Sequence, residues 1–258
     1  MPDAPPRIVT IPCLADNYAF LLHDPVTGAT ALIDAPEAAP IRAELDRCGW
    51  QLTDILITHH HGDHIDGVGA LCAASGARVW GARADAHRLP ALDMALEEGD
   101  TVSIGRLTGH VIAVPGHTVG HIAFYFPQVQ AVFTADSLMA LGCGRLFEGT
   151  AAQMWESLQK LAVLPGETWV YSGHEYTAAN AQFAATIEPD YAPLRSRMAE
   201  IEVLRAKGQP TVPSLMATEL ATNPFLRAAR ADVKIAVGLP GAGDVECFAE
   251  LRARKDRF

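Results

Sequence analysis

The sequence predicts an α+β protein in which strands and helices alternate first and helices alone follow. Two observations carry this prediction. Up to about residue 175, short apolar runs rich in β-branched residues, typical of buried strands, alternate with segments whose apolar residues recur at helical spacing. Beyond that point the strand signals fade and helical spacing takes over, carried by Leu194, Met198, Ile201 and Leu204. We therefore expect two domains, residues 1–174 and residues 175–258.

The elements of the first domain can be assigned in order along the chain. Residues 8–33 contain strand-like runs that are broken by turn-forming residues near Asp16 and Pro25. Helices are expected where apolar residues share one helical face and a helix-ending residue follows: residues 40–48 before Gly49, a helix from Val68 to near Gly76, and residues 154–164 before Pro165.

Four further strand-like runs each lead to a histidine or aspartate that could bind a metal ion. The runs and the side chains that follow them are residues 54–58 before His59, residues 111–114 before His117, residues 131–134 before Asp136, and residues 169–171 before His174. Strands of one sheet that end at the same edge would bring these side chains together. The pattern therefore predicts a metal site at one edge of a sheet.

The segment Thr-His-His-His-Gly-Asp-His, residues 58–64, is the most informative feature of the chain. His59 and His61 are two residues apart, so on extended backbone they point the same way and the histidine between them points away. Asp63 and His64 follow a glycine at which the chain can turn. These spacings suit two metal ions rather than one, provided that further ligands come from the later strand ends.

The histidines outside this pattern receive ordinary structural roles. A lone histidine is more often a surface or satisfied core residue than a ligand, and a run of histidines can be an expression tag. A tag would lie at a terminus, without an aspartate inside it or a strand before it. Five of the ten histidines belong to the predicted site. Of the others, His121 could lie behind the ligands, because it follows His117 closely.

Together these motifs resemble the metallo-β-lactamase superfamily and, within it, the glyoxalase II family of hydroxyacylglutathione hydrolases. The first motif is typical of the whole superfamily. The later motifs narrow the resemblance to the family: Gly-Cys-Gly-Arg-Leu-Phe-Glu-Gly-Thr at residues 142–150, Gly-His-Glu-Tyr-Thr at 173–177, Asn-Pro-Phe-Leu-Arg at 223–227, and Arg-Ala-Arg-Lys-Asp at 252–256. The resemblance implies an αββα sandwich followed by a C-terminal α-helical domain.

The resemblance also implies seven ligands for two divalent metal ions. Three side chains would hold each ion and one aspartate would bridge them: His59, His61 and His117; Asp63, His64 and His174; and Asp136. Asp63 and Asp136 are the carboxylates expected to serve the reaction itself. Imidazole and carboxylate ligands suit zinc, with iron or manganese as alternatives. Two such ions would lower the pKa of a shared water, so that hydroxide is available at neutral pH without a serine or cysteine nucleophile.

The implied reaction is hydrolysis of the thioester of S-(2-hydroxyacyl)glutathione, typically S-D-lactoylglutathione, to glutathione and D-lactate, the second step of methylglyoxal detoxification. The leaving thiolate has a parent pKa of about 8.5, so it needs little help from an acid. The resemblance implies that five side chains contact the glutathione part: Arg145, where the family often has lysine; Phe147, where some members have tyrosine; Tyr176; Arg252; and Lys255.

The roles of Arg252 and Lys255, and a possible role of Cys143, compete with simpler explanations. Arg252 and Lys255 are three residues apart and share a helix face that could bind the glycine carboxylate of glutathione. They could equally be cations that stabilise the C-terminus of a helix. Cys143, between two glycines, could be a nucleophile, but a small residue in a tight loop beside the substrate explains it more simply.

Four other functions are compatible with parts of the pattern. A glutathione persulfide dioxygenase with a single iron would not need Asp63, His64 and His174 together. A nuclease of the same superfamily fits poorly with the acidic net charge. A lactonase fits poorly with the C-terminal cations, which favour a glutathione-like anion over a lactone. A non-catalytic glutathione- or metal-binding module would not need a complete set of ligands for two ions.

Composition limits the partners and the compartment. The net charge of −10 leaves no broad basic surface to neutralise phosphates, so we expect no nucleic acid partner. No run of 18 apolar residues predicts a membrane span, and the first seven residues do not have the pattern of a signal peptide. Five cysteines at irregular spacing do not form a disulfide framework. We expect a cytoplasmic monomer whose partner is a small-molecule substrate.

Overall fold

A computed structural model describes residues 4–258. The first three residues, which belong to the segment where no signal peptide is expected, lie outside this description. The chain forms two compact units. The first contains the residues up to Ala113 together with Val119–Phe133, and the second contains Val114–Thr118 and Thr134–Phe258. The domain boundary expected near residue 175 stays a prediction.

The first unit begins with a mixed sheet. Its strands are neighbours in chain order: β1 Arg7–Cys13, β2 Asn17–His23, β3 Thr30–Ile33, β4 Asp54–Leu56, β5 Arg78–Ala82 and β6 Met94–Leu96. The first three strands pair antiparallel, whereas β3 to β6 pair parallel. Parallel neighbours require crossover connections. Helices in these crossovers are α1 Ala38–Cys48, α2 Gly62–Ile65 and α3 Val68–Ser75.

Helices α1 and α3 cover one face of this sheet, as their apolar spacing predicts. Ile41 and Leu45 of α1 and Leu71 of α3 join one core cluster with strand residues such as Ile55. Gly49 ends α1 in the left-handed conformation, with a φ of 68°, which glycine adopts without steric cost. The predicted start at residue 40 was two residues late.

A second sheet faces the first within the same unit. The strands of this sheet that begin in the first unit are β7 Thr101–Ile104, β8 Leu107–Ala113, β9 Ile122–Phe126 and β10 Ala131–Ala135, with β7 to β10 as successive neighbours. Phe20 of β2 meets Phe133 of β10 with ring centroids 5.7 Å apart, and Phe126 packs on the same ring. Strands β2 and β10 are buried at every residue, which explains their continuous apolar sequence.

The second unit is mainly helical. Its strands are β11 Leu138–Met139, β12 Gly142–Cys143, β13 Trp169–Ser172 and β14 Ser214–Leu215. Its helices are α4 Ala151–Ala162, α5 Thr177–Ile187, α6 Ala192–Ala206, α7 Met216–Thr222, α8 Ala231–Ala236 and α9 Asp244–Arg257. Strands β11 and β12 form a hairpin, and β13 pairs antiparallel with β14. The end of β10 also lies beside β13, where Gly173 N donates to Ala135 O over 3.1 Å.

Helix α4 begins three residues earlier than its apolar spacing predicts. The Thr150 side chain accepts a hydrogen bond from Gln153 N, and the Gln153 side chain accepts one from Thr150 N. This capping box satisfies two backbone donors of the first turn and extends the helix. Trp155 of α4 then packs against Phe248 of α9, with ring centroids 6.0 Å apart.

The expectation that one sheet carries the four ligand-bearing strands was wrong. Strand β4 belongs to the first sheet, whereas β8 and β10 belong to the second. Strands β4 and β10 are both buried at every residue and both have a largely apolar sequence, so the pattern does not show which sheet each strand joins. Across residues 4–258, no helix combines the length and the apolar character needed to cross a membrane.

Candidate metal centre

In the first unit, the loop that follows β4 holds two histidines with their nitrogens close together. Thr58 donates from its hydroxyl to Asp34 Oδ2 over 2.8 Å, and its backbone N donates to Asp34 Oδ1 over 2.9 Å. The same hydroxyl lies 3.0 Å from His59 Nδ1 and accepts its proton, which leaves Nε2 with a lone pair. His59 Nε2 lies 3.1 Å from His61 Nδ1.

That nitrogen pair has the spacing of two ligands on one ion. Ligand atoms about 2.0–2.1 Å from a tetrahedral zinc ion are about 3.3 Å from one another. The imidazoles of His59 and His61 lie nearly perpendicular, at 80°, so their nitrogens approach from different directions. The chemistry of these donors therefore fits a cation.

The short helix α2 carries the next two candidate ligands. His64 is fully buried and donates from Nδ1 to Asp34 Oδ2 over 2.8 Å, so its Nε2 is the nitrogen left for a metal ion. This Nε2 lies 3.8 Å from Asp63 Oδ2. The Asp63 carboxylate is oriented by Asn17, whose amide donates to Asp63 Oδ2 over 3.0 Å. Asp34, His59 and His64 each offer one ligand atom within 4.8 Å of the others.

Two other histidines of the first unit pack behind this cluster. His60 Nδ1 lies 3.1 Å from the buried Asp85 carboxylate, but the His60 ring also meets the His61 ring, with centroids 4.9 Å apart, so His60 does not point fully away from its neighbours as expected. His121 stacks on the ring of His59, with centroids 4.6 Å apart, which is the place expected of a residue behind a candidate ligand. His23 is a satisfied core residue that hydrogen-bonds Thr30 Oγ1.

The second unit brings together the other three candidate ligands. His117 Nε2 lies 3.4 Å from Asp136 Oδ2, and His174 Nε2 lies 3.3 Å from the same oxygen. These spacings again match ligand atoms around one ion. His117 donates from Nδ1 to the Arg145 carbonyl oxygen over 2.8 Å, which directs its Nε2 toward Asp136. One carboxylate between two imidazoles is the arrangement that a bridging aspartate needs.

The backbone around these ligands is tightly folded. Ala135, the residue before Asp136, has a φ of 41°, which is uncommon for a residue with a side chain. Gly144 packs so closely that a Cβ atom there would overlap the Asp136 carbonyl oxygen and approach His117 Nδ1 to 2.9 Å. The glycine is therefore needed for the loop to pass beside both ligands.

Two of the predicted substrate side chains lie against ligands of the second unit. Phe147 is 62% exposed and meets the edge of the His117 ring, with centroids 5.2 Å apart. Tyr176 stacks on His174 at 4.7 Å. Glu175, which lies between His174 and Tyr176 in the sequence, accepts hydrogen bonds from Thr211 N and Oγ1 and so fixes the backbone of this segment. An exposed aromatic surface thus adjoins the ligand side chains.

The predicted C-terminal cations lie in two different environments. Lys255 is placed over the rings of Phe183 and Phe258, with Nζ 5.4 and 5.0 Å from their centroids. Burial, followed by the positive charges of Arg252 and Arg145, lowers the pKa of Lys255 to about 8. Lys255 Nζ also donates to Ala179 O over 3.2 Å, and with this pKa the side chain is still mainly a cation at neutral pH, where a nearby anion would stabilise the charge.

Arg252, by contrast, is buried and bound by protein acceptors. It donates from Nη1 to Cys143 O over 2.8 Å and from Nη2 to Asp256 Oδ1 over 2.9 Å. Arg145 is exposed, and its Nε lies 3.8 Å from the same Asp256 oxygen. Burial raises the pKa of the Cys143 thiol to about 11, so this residue stays protonated and is a poor nucleophile.

Sequence reasoning missed the residues that orient the ligands. Asp34 binds both Thr58 and His64, and it follows the β3 run just as the ligands follow their own strands, so the same signal was present. Asn17 orients Asp63 from the first residue of β2, and nothing in its sequence context indicates this role.

Comparison with known proteins identifies relatives for both parts of the chain. Residues 17–174 match the sequence model of the metallo-beta-lactamase superfamily, and residues 175–258 match that of the hydroxyacylglutathione hydrolase C-terminus. A protein of Jannaschia sp. (strain CCS1) named hydroxyacylglutathione hydrolase is 66% identical over 99% of this chain and 100% of its own length. A protein of the same name from Methylococcus capsulatus (strain ATCC 33009 / NCIMB 11132 / Bath) is 53% identical over 98% of both chains.

Solved structures share the fold. ETHE1 from Myxococcus xanthus superposes with a TM-score of 0.67 at 26% identity and covers 97% of this chain and 90% of its own. TTHA1623 in a di-iron-bound form has a TM-score of 0.59 at 26% identity, and the match covers 85% of this chain and 100% of TTHA1623. The BLEG-1 B3 metallo-beta-lactamase has a TM-score of 0.67 at 21% identity, and the match covers 85% of this chain and 99% of BLEG-1. This likeness shows the fold alone.

Proposed function

The chain belongs to the hydroxyacylglutathione hydrolase (glyoxalase II) family of the metallo-β-lactamase superfamily, and from this premise we propose that it hydrolyses the thioester of S-(2-hydroxyacyl)glutathione. The substrate is typically S-D-lactoylglutathione and the products are glutathione and D-lactate. The fold is the αββα sandwich with a C-terminal helical domain that the sequence predicts. The observation that carries the proposal is the 66% sequence identity to a named hydrolase over nearly the whole chain, combined with oriented histidine and aspartate side chains in both units.

The proposed site holds two divalent metal ions. Seven side chains form the ligand set: His59, His61 and His117 for one ion, Asp63, His64 and His174 for the other, and Asp136 between them. The set contains imidazole and carboxylate donors and no sulfur, which suits zinc, with iron and manganese as alternatives. When bound, two such ions supply a water that ionises near neutral pH and a Lewis acid for the thioester carbonyl.

The protein's own contribution is to orient these donors before a metal ion arrives. Asp34 accepts the Nδ1 proton of His64, and the Arg145 carbonyl accepts that of His117, so in both rings Nε2 keeps its lone pair. Such outer partners fix the tautomer and the direction of a ligand. Asp136 and Asp63 are the carboxylates we assign to the reaction.

Glutathione would bind through side chains other than the metal ligands. We assign this role to Arg145, Phe147, Tyr176, Arg252 and Lys255. Lys255 supplies a partly buried cation whose Nζ donates to Ala179 O, and Arg252 mainly holds the backbone of Cys143. Phe147 and Tyr176 adjoin ligand rings, so a substrate packed on them would have its thioester close to the ligands. No thiol of the protein is needed as a nucleophile, because the buried Cys143 stays protonated.

The other functions weighed from the sequence are not better supported. If the protein were a persulfide dioxygenase or a non-catalytic binding module, its sequence identity of 61–66% to hydrolases over nearly the whole chain would be unexplained. We also propose a monomer in the cytoplasm whose partner is this small-molecule substrate. The location is supported by the five cysteines of the chain, which are all free thiols and suit a reducing compartment.

The deciding experiment measures hydrolysis of S-D-lactoylglutathione by the purified protein and metal content in the same sample. Turnover with about two metal ions per chain would support both the reaction and the ligand set. Two ions without turnover would overturn the proposed substrate and keep the metal centre. A single iron ion with oxygen-dependent turnover of a glutathione persulfide would replace the hydrolase with the dioxygenase.

A further inference from the structure

A buried turn in the second unit connects the ligands to the substrate side chains. Strands β11 and β12 join through Ala140 and Leu141, and Leu141 has a φ of 56°, in the left-handed region. Asp136 lies just before this hairpin, and Arg145, whose carbonyl oxygen orients His117, lies just after it. A shift of the hairpin would therefore move ligands and substrate side chains together.

Side chains from distant parts of the unit hold this turn by its backbone. Asn180 of α5 donates to Ala140 O over 3.0 Å, and Glu219 of α7 accepts from Leu141 N over 2.9 Å. Asn223, at the end of α7, donates from one amide nitrogen to Met139 O and Gly142 O over 3.1 and 3.0 Å. We call Asn180, Glu219 and Asn223 the turn-anchoring set.

The turn-anchoring set is buried and internally connected. Glu219 is fully buried, and its other oxygen accepts hydrogen bonds from Arg197 and from Ser214 Oγ. Asn223 donates to Glu219 Oε2 over 3.1 Å, so the two anchors also fix each other. Burying a carboxylate and an arginine is costly, and such a pair adds little stability compared with apolar packing. Its directional hydrogen bonds are better suited to fixing the backbone in one position.

We propose that Glu219 and Asn223 are positioning residues for the hydrolysis, acting through the backbone of the Met139–Gly142 turn on Asp136 and Arg145. This inference rests on the proposed function, because it assigns the turn a role in that reaction. They do not touch a ligand side chain in the contacts described above. Their effect passes along the chain, through the hairpin and the tightly packed Gly144.

The test compares Asn223→Ala with a matched control, Glu188→Gln. Asn223→Ala removes the donor to two turn carbonyls. Glu188→Gln weakens a part-buried ion pair of the same unit, with the side chain of Arg227, and leaves the hydrogen bonds from Asn223 to the turn in place. We expect Asn223→Ala to lower kcat/KM by about tenfold or more and to lose zinc to a chelator more readily, as loss of an outer partner of a metal site does. Glu188→Gln should lower Tm but leave both quantities unchanged.

A second variant keeps the inference testable if Asn223→Ala does not fold. Asn180→Ala removes only the hydrogen bond to Ala140 O and places a good helix former inside α5. It should lower kcat/KM and zinc retention less than Asn223→Ala does. Unchanged values in the folded anchor variants, or an equal loss in Glu188→Gln, would overturn the proposal.

Failure of the proposed function is separable from failure of this inference. If the wild-type protein does not hydrolyse the thioester, the proposed function is wrong. Zinc retention of Asn223→Ala, compared with wild type and with Glu188→Gln, then still tests whether the turn-anchoring set positions the ligands.

Discussion

Each imidazole ligand has two nitrogens, and a neighbouring group decides which one is left for a metal ion. For His64 the neighbour is the Asp34 carboxylate, and for His117 it is the Arg145 carbonyl oxygen. Both neighbours accept the Nδ1 proton, so both rings present Nε2. The direction of these candidate ligands therefore depends on neighbouring groups as well as on the imidazoles themselves.

Asp136 is the single residue whose loss should affect both proposed ions. Asp136→Ala removes the oxygen that lies 3.4 Å from His117 Nε2 and 3.3 Å from His174 Nε2. We expect activity to fall by at least about 100-fold, beyond the usual effect of losing an outer partner, together with loss of bound metal. Metal analysis and thioester turnover on the same sample check this. The control is Asp232→Ala, which removes a surface carboxylate of the same unit. Retention of two metal ions with full turnover would refute the bridging role.

Lys255 should contribute to substrate binding rather than to the chemical step. A hydrogen bond to a charged group is worth about 1.5–3 kcal/mol, so Lys255→Ala should raise KM by about tenfold or more. The turnover number kcat should change less, because the lost contact is the same in ground and transition states. The matched control is Lys234→Ala, which removes another lysine of this unit, paired with Asp244. An unchanged KM for the Lys255 variant would mean that this cation only stabilises its helix.

The same lysine predicts a pH dependence of binding. Its pKa is lowered to about 8 by burial and by the neighbouring charges of Arg252 and Arg145. Lys255 is therefore a cation below about pH 8 and becomes neutral as the pH rises through that value, so affinity for a carboxylate should fall there. We expect kcat/KM, which reports the free enzyme, to decline above pH 8.

Lys255→Arg supplies the control for this pH dependence. Arginine stays charged throughout this range. The decline in kcat/KM above pH 8 should therefore be weaker in Lys255→Arg than in wild type. Identical profiles for the two proteins would rule out Lys255 as the titrating group.

At the scale of elements, strand ends and tight turns place the candidate ligands. The loop after β4 carries His59 and His61, and a turn at the end of β10 places Asp136. The segment that follows β12 then passes close beside Asp136, where Gly144 leaves no room for a side chain. Short, buried segments of this kind fix direction more firmly than exposed loops do.

Gly144→Ala tests this close packing. The added methyl group would overlap the Asp136 carbonyl oxygen, which belongs to backbone and cannot rotate away. We expect loss of metal and at least about a tenfold fall in kcat/KM, as for other changes around a metal site. The control is Gly69→Ala in α3, where no atom lies within 4 Å of the new methyl group and alanine should stabilise the helix by about 0.5–1 kcal/mol. Normal activity in the Gly144 variant would mean that the loop relaxes freely.

For the whole molecule, metal binding should add to the stability of the fold. An ion that binds only the folded chain adds about 2.7 kcal/mol to the free energy of unfolding at a hundredfold excess over its Kd. In a chain of this size, removal of the ions should lower Tm by about 5 °C or more. Thermal unfolding with and without a chelator measures the change. The shift should be smaller in Asp136→Ala, and an equal shift would place the stabilising ions elsewhere.

The sequence indicated most of the elements around the site, with errors mainly at their ends. The helix expected to end at Gly49 does so, because the left-handed position after a helix favours glycine. The start of α4 was misplaced because its capping box, formed by Thr150 and Gln153, was not recognised. The four strands before ligands are present, but they do not share one sheet as expected.

The sequence alone determined the family and the candidate ligands, because closely spaced histidines and aspartates after apolar strands are a local pattern. The residues that orient those ligands were decided only by the tertiary structure. Asp34 lies 30 residues before His64 in the chain, and Asn223 lies 81 residues after Gly142, yet each pair is joined by a hydrogen bond. Contacts over such separations depend on how strands and helices pack, and no local pattern of residues records them.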